Sequence, residues 1–279
     1  MCNKEIKFGL FYDWAMENGF DFVATGHYAQ IKEGFLATSV DEHKDQTYFL
    51  YRLFPEQLPH ILFPVGHLNK TEVRVEAAKR KIAVANKKDS VGICFIGDIN
   101  VHDFLYERLG ENPGDVVDVK GNVIGKHNGL WFYTIGQRHG FSIQTKSMIK
   151  QGDGSVIDKH NIPPFYVIRK LPEKNQLVVG FGVEAMQAEF KVTQLNWLDK
   201  SKELFAKNTQ TFVRIRHTGE LNPCKLSKDY DGEKLVVTLE TPIEGIAYGQ
   251  SAVFYIPFAE AENNQQQLYK CVSGGIISA

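Results

Sequence analysis

Apolar residues recur with a helical period at the start of the chain. Over Lys4–Asn18 they fall mostly on one side of a helix, and Gly19 stands where that helix would end. A nearly continuous apolar run, Phe20–Tyr28, follows and finishes in Thr-Gly-His. Such a run before a glycine is typical of a buried parallel strand, and open α/β sheets bind ligands beyond the carboxyl ends of their strands. Gly26 and His27 are therefore candidate site residues.

Helical patterns return at three places further along. They cover Asp45–Leu53, Lys70–Lys81 and Asn100–Leu109, and Asn69 or Thr71 is suited to cap the second of them. Helices that alternate with a buried strand are the pattern of an α/β fold. The first hundred or so residues are therefore predicted to form an α/β domain.

The pattern changes near Pro113 to short strands separated by turns. The turn sequences include NPGD, KGNVIG, KHNG and LPEKNQ. Val116–Gly136 and Gln210–Ile256 alternate apolar and polar positions as half-buried strands do, which favours small barrels. We predict domains at residues 1–101, 102–175 and 176–279, the last two all-β.

Composition narrows the class of protein. A formal net charge of −1 and a pI near 6.8 argue against a general polyanion binder, so any nucleic-acid contact must come from local patches. The sequence shows neither a secretory signal nor a run long enough to span a bilayer, which predicts a cytosolic or organelle-matrix location. The four cysteines form no CxxC pair, so neither a disulfide framework nor a zinc ribbon is indicated.

Two of these cysteines have polar or basic neighbours. Cys94 lies in KKDSVGICFIGD after a basic cluster, and nearby cations lower the pKa of a thiol and favour the nucleophilic thiolate. Taken alone, it also fits a buried structural cysteine between Ile93 and Phe95. Cys2 precedes Asn3 and Lys4, and by itself it fits a frayed terminus. The pair could exchange sulfur only if the fold brought the two thiols together.

Other segments carry groups that suit RNA. DEHKDQTYFLYRL, which includes Lys44, Asp45 and Gln46, combines charged, amide and aromatic side chains, although its aromatics also fit a helix core. In FVRIRHTGE, alternation would place Arg214 and Arg216 on one face, where an arginine pair can bind phosphates. Surface arginines and a satisfied strand-end His27 are the plainer interpretations.

Several long motifs resemble one known family. CNKEIKF, ATGHY, DEHKDQTYFLYRL, LFPVGHLNKTEVR, KKDSVGICFIG, HNGLWFYTIGQRHG and IAYGQSAVFY, which together extend over nearly the whole chain in order, resemble the tRNA-specific 2-thiouridylases. The resemblance implies that Cys2 is the nucleophile, that Cys94 bears a persulfide and that Gly26 binds nucleotide. It also implies tRNA contacts by His27, Lys44, Asp45, Gln46, Arg216, His217 and Gln250.

The start of the chain departs from the family pattern. Family members begin with a strand and a glycine-rich pyrophosphate loop of the SGGxDS type, and an Asn-Pro-Asp segment precedes the first cysteine; here the sequence opens at Met1 and Cys2. The chain thus resembles an amino-terminally truncated member. Its expected fold is a truncated PP-loop-like α/β domain followed by an all-β central domain and a C-terminal β-barrel. ATP and Mg²⁺ are the cofactors that the resemblance implies.

The family resemblance implies a reaction and its partners. ATP would adenylate the oxygen on carbon 2 of a wobble uridine, and a sulfur-relay protein or a cysteine desulfurase would load Cys94. A basic face from Lys79 to Lys88 and Arg214 to Arg216 would hold the tRNA. Two alternatives remain open from the sequence: a catalytically silent tRNA-binding module, and a thiol redox or cysteine-dependent acyl-transfer enzyme.

Overall fold

The computed structural model describes residues 2–87, 99–143, 149–150, 156–157, 163–199, 205, 209–228, 234–258 and 266–278. Its helices are a π-helix at Asn3–Leu10, α1 Phe11–Glu17, α2 Thr47–Leu50, α3 Lys70–Lys79, α4 Val101–Leu109 and α5 Gly182–Ala185, with short 3₁₀ turns at Pro55–His60, Leu130–Phe132 and Pro172–Lys174. Its strands are β1 Val23–Ala24, β2 Gln30–Lys32, β3 Phe35–Ala37, β4 Ile61–Leu62, β5 Gly114–Val117, β6 Val123–His127, β7 Ser142–Ile143, β8 Ile149–Lys150, β9 Val156–Ile157, β10 Tyr166–Leu171, β11 Gln176–Gly180, β12 Gln187–Trp197, β13 Thr211–Arg214, β14 Asn222–Lys228, β15 Leu235–Ile243, β16 Ser251–Pro257 and β17 Tyr269–Ser278.

The chain divides into two compact units. The first combines Met1–Ser90 with Glu189–Thr241 and Tyr248–Ala279, and the second combines Val91–Ala188 with Pro242–Ala247. The domain limits predicted after residues 101 and 175 stay a prediction.

The first unit contains a closed barrel. Six strands are hydrogen-bonded in the order β12-β15-β14-β13-β16-β17, and a further pairing of β12 with β17 closes the ring. The hairpin of β2 and β3 then joins the same sheet, where Ala37 pairs with Lys270 of β17. The predicted C-terminal β-barrel is confirmed, and its sheet continues into the amino-terminal segment.

The α/β part of this unit contains a short parallel pair. Strand β1 pairs with β4 in parallel register, with Val23 opposite Ile61. The predicted strand over residues 20–28 was therefore too long, because only two of its residues pair with a neighbour. The residues after Ala24 leave the sheet and form the loop that carries Gly26 and His27.

The amino-terminal helix is kinked, although its apolar period predicted a single helix. Gly9 leaves helical geometry at φ −107° and ψ −106°, and a Cβ at this position would lie 2.7 Å from the Lys4 carbonyl oxygen. The side-chain amide of Gln57 donates to the Phe8 carbonyl oxygen at 2.5 Å, beside the break. Phe8 is buried, whereas Leu10 and Trp14 are exposed. The apolar stripe therefore faces the core only in part.

Two predicted helix starts are confirmed. The Asn69 backbone N–H donates to the Glu72 carboxylate at 2.7 Å, as in a capping box, and α3 follows directly. Before α4, the Asn100 side-chain oxygen accepts hydrogen bonds from the backbone N–H groups of His102 and Asp103. Short polar side chains at these positions satisfy amide groups that have no partner within the helix.

Alternation along the barrel strands was predicted correctly for only some of them. In β15 the residues Leu235, Val237 and Leu239 are buried and their neighbours are more exposed. In β16, by contrast, consecutive residues from Ala252 to Ile256 are all buried. The reason is that the segment around α2 covers this strand, and the Tyr48 hydroxyl donates to the Ser251 carbonyl oxygen at 3.0 Å.

The second unit is mainly β-structure. Five strands are ordered β10-β11-β5-β6-β7, and β11 runs parallel to β5. Val116, Val167 and Leu177 are fully buried in its core. The predicted all-β central domain is confirmed as a β domain, with α4 and α5 as its helical additions.

Candidate functional site

The carboxyl end of β1 carries a glycine that the protein's own packing does not require. The Thr25 N–H still bonds to the Leu62 carbonyl oxygen at 3.0 Å, and the chain leaves the sheet at Gly26. Gly26 does not adopt a positive φ, and a Cβ built on it would meet no atom within 4 Å. Because neither backbone conformation nor packing demands a glycine here, the open space is compatible with close approach of a ligand.

His27 follows in a largely buried position. Only 7% of it is exposed, and its ring packs against Phe8 and Phe63, with its centroid 5.9 Å from that of each phenylalanine ring. Its Nδ1 atom is 2.8 Å from the Thr25 hydroxyl. Burial, and then the nearby Lys7 charge, lower the pKa of His27 to about 4. The imidazole is therefore neutral near pH 7.

The start of the π-helix is fixed to this histidine. Asn3 Oδ1 lies 3.2 Å from His27 Nε2, and Asn3 Nδ2 donates to the Phe49 carbonyl oxygen at 3.2 Å. Cys2 immediately precedes Asn3 and is half-buried. The structure therefore brings Asn3, the residue after the predicted nucleophile, into contact with the loop of Gly26 and His27.

The described thiols differ strongly in burial. Cys224 and Cys271 are buried; burial raises the pKa of Cys224 to about 12 and that of Cys271 well above its ordinary value. Thiols in such surroundings are inert. Cys2 is the accessible thiol among the cysteines that the structure describes. Cys94, its predicted partner, falls in residues 88–98, outside the described part of the chain.

The neutral state of His27 predicts a pH-dependent stability. The pKa is 6.5 for an ordinary histidine and about 4 in the fold, so the unfolded chain binds more protons between these values. Stability from this residue should be present above pH 6.5 and be lost as the pH falls toward 4, by about 3 kcal/mol in total. Urea unfolding at several pH values should therefore show a steeper decline for the wild type than for His27→Gln. The exposed His67, changed to Gln, is the control and should follow the wild type; parallel curves for wild type and His27→Gln would contradict the expectation.

A buried ion pair connects the α2 segment with the barrel. Asp45 is 1% exposed, and its Oδ1 atom accepts from Arg214 Nη1 at 2.7 Å and from the Thr47 hydroxyl at 2.5 Å. Its Oδ2 atom accepts from the Ser39 N–H at 2.7 Å, and the Thr47 hydroxyl is also 3.0 Å from the Tyr255 hydroxyl. The carboxylate of Asp45 is thus fully engaged inside the protein.

The neighbours of Asp45 are more accessible. Gln46 bonds twice to Tyr28: its side-chain oxygen accepts from the Tyr28 N–H at 3.0 Å, and its own N–H donates to the Tyr28 carbonyl oxygen at 2.8 Å. Lys44 is half-buried and close enough to His217 for its charge to influence that ring. The segment 44–46 is therefore anchored at Asp45 and Gln46.

Around His217 the structure brings together parts that are distant in sequence. The ring centroids of His217 and Phe49 are 4.4 Å apart. Burial lowers the pKa of His217; the Asp45 carboxylate opposes this shift, and the Arg214 and Lys44 cations reinforce it. His217 Nδ1 is buried without a hydrogen-bond partner within the described residues. A neutral, half-buried ring beside an exposed aromatic suits stacking or hydrogen bonding to a base.

The expected same-face arginine pair was wrong. Strand β13 ends at Arg214, which is 6% exposed and paired with Asp45, whereas Arg216 follows in an exposed turn. Strand alternation does not extend beyond the end of the strand. Arg214 is therefore not part of the predicted basic face, because it is buried and paired. At its other end, Lys79 and Arg80 are exposed, but both pair with Glu76.

Gln250 immediately precedes β16 and is half-buried, and its carbonyl oxygen accepts from the Ile277 N–H at 2.8 Å. No local signal in the sequence singles out Lys7 or links Asn3 to His27. Lys7 and Asn3 contact His27, which lies 20 and 24 residues further along the chain, and apolar periodicity does not reveal contacts at that separation.

The described residues contain no cluster of three or more His, Cys, Asp or Glu side chains arranged to hold a metal ion. None of the helices found there is long and apolar enough to cross a membrane.

Three family models match consecutive parts of the chain. They are the tRNA methyl transferase HUP domain over residues 1–98, the tRNA methyl transferase PRC-barrel domain over 102–181 and the aminomethyltransferase beta-barrel domain over 187–276. The fold and these matches define the class: a HUP-domain protein with a central β domain and a closed C-terminal barrel.

Relatives named tRNA-specific 2-thiouridylase MnmA align with nearly all of the chain. The protein from Buchnera aphidicola subsp. Schizaphis graminum is 37% identical over 100% of this chain and 71% of its own length. The relative from Blochmanniella floridana is 39% identical over 99% of this chain and 70% of its own length. The relative from Listeria innocua is 42% identical over 91% of this chain and 66% of its own length. The chain belongs to the tRNA-specific 2-thiouridylase family.

Proposed function

We propose that this chain carries out the sulfur-transfer step of 2-thiolation at a tRNA wobble uridine, with Cys2 and Cys94 as the reacting thiols. The observation that supports this most directly is the contact between Asn3 and His27, because Asn3 follows the half-buried Cys2 and His27 follows Gly26 at the end of a parallel strand. Ligands of open α/β sheets bind at such ends. The name of the relatives supplies the reaction.

The proposed chemistry needs two thiols and one persulfide. Cys94 carries the persulfide, loaded by a sulfur-relay protein or a cysteine desulfurase. In one route its terminal sulfur bonds to carbon 2 as the activated oxygen leaves, and the Cys2 thiolate then attacks the Cys94 sulfur and breaks the S–S bond. In the other, Cys2 attacks first and releases hydrosulfide, which attacks carbon 2. Both routes transfer the reduced sulfur to the base and oxidise the two thiols to a disulfide, which a reductant reopens.

The open space at Gly26 fits a bound nucleotide. Gly26 would let the nucleotide approach the backbone, and ATP, when bound, would supply activation of the uridine oxygen by adenylation. For Mg²⁺ the fit is different, since the described residues do not form a group of acidic ligands that would hold it. We therefore assign no step to magnesium.

The proposed tRNA contacts group around His217. Lys44, Gln46, Arg216 and His217 would contact the RNA, and the Phe49 ring offers a face on which an unpaired base can stack. Asp45 would act indirectly, because its internal bonds hold Lys44 and Gln46 in place. Gln250 and the buried His27 complete the proposed set, and His27 would act chiefly by holding Asn3 beside Cys2.

The test is a thiolation assay with ATP, a persulfide donor and unmodified tRNA. It should be run with the chain alone and with the part of the Buchnera relative that lies outside the matched 71% added. Formation of 2-thiouridine in either arm supports the proposal. If tRNA binds in both arms but 2-thiouridine forms in neither, the chain is a silent tRNA-binding module and the proposal fails.

A further inference from the structure

Lys7 lies beside the candidate site, and none of the described carboxylates pairs with its ammonium group. It is half-buried, and its Nζ atom lies 3.4 Å from His27 Nε2. Within the described residues, none of the ion pairs includes Lys7. Buried cations elsewhere in the same unit do have carboxylate partners: Arg214 is 2.7 Å from Asp45, and Lys270 is 2.5 Å from Asp199. Lys7 has no such carboxylate partner among the described residues.

The π-helix accounts for the position of this ammonium. In a π-helix each turn is closed by a bond between residues five apart, as when the Phe11 N–H donates to the Ile6 carbonyl oxygen. Residues four or five apart then lie on the same side. Asn3 and Lys7, four residues apart, both reach His27 Nε2. Cys2, five residues before Lys7, begins the same helical face.

The surroundings of Lys7 favour an anion. The one described group within hydrogen-bonding distance of its ammonium is a histidine ring that stays neutral near pH 7 and so cannot balance the charge. Removing a cation from water without a partner costs free energy, which a bound anion recovers. Open space lies next to His27 at Gly26, where a Cβ would meet no atom within 4 Å.

We propose that Lys7 binds a phosphate group in the space beside Gly26, a role that rests on the proposed function of this site. The contact would be a charge-assisted hydrogen bond from the ammonium to a phosphate oxygen. Two sources share this chemistry: the phosphate of an adenine nucleotide, and the backbone phosphate next to the target uridine.

Direct binding measurements with two probes test the role of Lys7. Adenosine monophosphate and an unmodified anticodon stem-loop RNA should each be titrated into the full chain and its variants by calorimetry. Lys7→Gln should reduce the affinity for one of the two probes about tenfold, whereas Lys7→Arg should keep most of that affinity. Lys4→Ala is the matched control, since it removes one charge from the same helix at a lysine that pairs with Glu5. It should change affinity less than about twofold.

The outcomes separate the two sources and the null result. A loss confined to adenosine monophosphate, with adenosine itself binding as in the wild type, identifies a nucleotide phosphate. A loss confined to the stem-loop identifies the RNA backbone. Equal affinities for wild type and Lys7→Gln, or wild-type binding of neither probe, would overturn the proposal. These titrations do not depend on turnover. If 2-thiouridine forms in the assay above but Lys7→Gln leaves binding unchanged, the phosphate-binding role of Lys7 is rejected and the proposed function is retained.

Discussion

Cys94→Ser is expected to abolish persulfide loading, and Cys2→Ser is expected to permit loading but block turnover. The reason is that serine cannot carry the terminal sulfur at position 94, while at position 2 it cannot attack the persulfide or close the disulfide. Loading is measured by mass spectrometry after incubation with a sulfur donor, and turnover by 2-thiouridine in tRNA. The expected loss is complete, at least about a thousandfold, since no second nucleophile is proposed.

Cys224→Ala is the control for these variants. This thiol is buried, and burial raises its pKa to about 12, so its removal should leave loading and turnover unchanged. Normal turnover by Cys2→Ser would remove Cys2 from the mechanism. Normal loading of Cys94→Ser would likewise show that another thiol receives the sulfur.

Asp45→Asn should destabilise the first unit by about 3 to 5 kcal/mol. The substitution keeps the shape of the side chain but removes the charge that balances Arg214, whose guanidinium is 6% exposed. Leaving one member of a buried pair uncompensated costs more than the intact pair contributes. Urea unfolding followed by circular dichroism measures the difference.

A surface pair offers the matched control for Asp45. Asp115 and Lys126 are 2.6 Å apart with the lysine exposed, so Asp115→Asn should cost less than about 1 kcal/mol. If Asp45→Asn does not fold, Thr47→Val removes one hydrogen bond to the same carboxylate and should cost about 1 to 2 kcal/mol. If Asp45→Asn lowers the free energy of unfolding no more than the surface control does, the burial of Arg214 does not depend on the Asp45 charge.

The buried pair also bears on tRNA contact. Lys44 and Gln46 flank Asp45 in sequence, and Gln46 is bonded to Tyr28 through both side chain and backbone. Since Arg214 belongs to the barrel, the pair fixes this segment against the strand that leads to Arg216 and His217. The barrel would therefore set the spacing between the two proposed groups of tRNA contacts.

Local signals in the sequence were sufficient for several elements. Capping residues indicate where α3 and α4 begin, because a cap depends on residues within one turn. For α3 the cap is formed by Asn69 and Glu72, and for α4 by Asn100 and the amides that follow it. Gly19, at φ +78°, ends the amino-terminal helix as its position predicted. The family motifs predicted a PP-loop-like α/β domain, a central β domain and a C-terminal barrel, and the matches to a HUP domain, a PRC-barrel domain and a β-barrel domain confirm this order.

Tertiary structure alone decided which side chains are buried and paired. Asp45 and Arg214 are 169 residues apart, so no local pattern distinguishes Arg214 from the exposed Arg216. The same holds for β16, which is buried on both faces because a segment from the start of the chain covers it. Lys7 contacts His27, 20 residues further along the chain, which no local pattern indicates. Periodicity along the chain reports one face of one element, whereas burial and charge pairing depend on what the rest of the fold places against the other face.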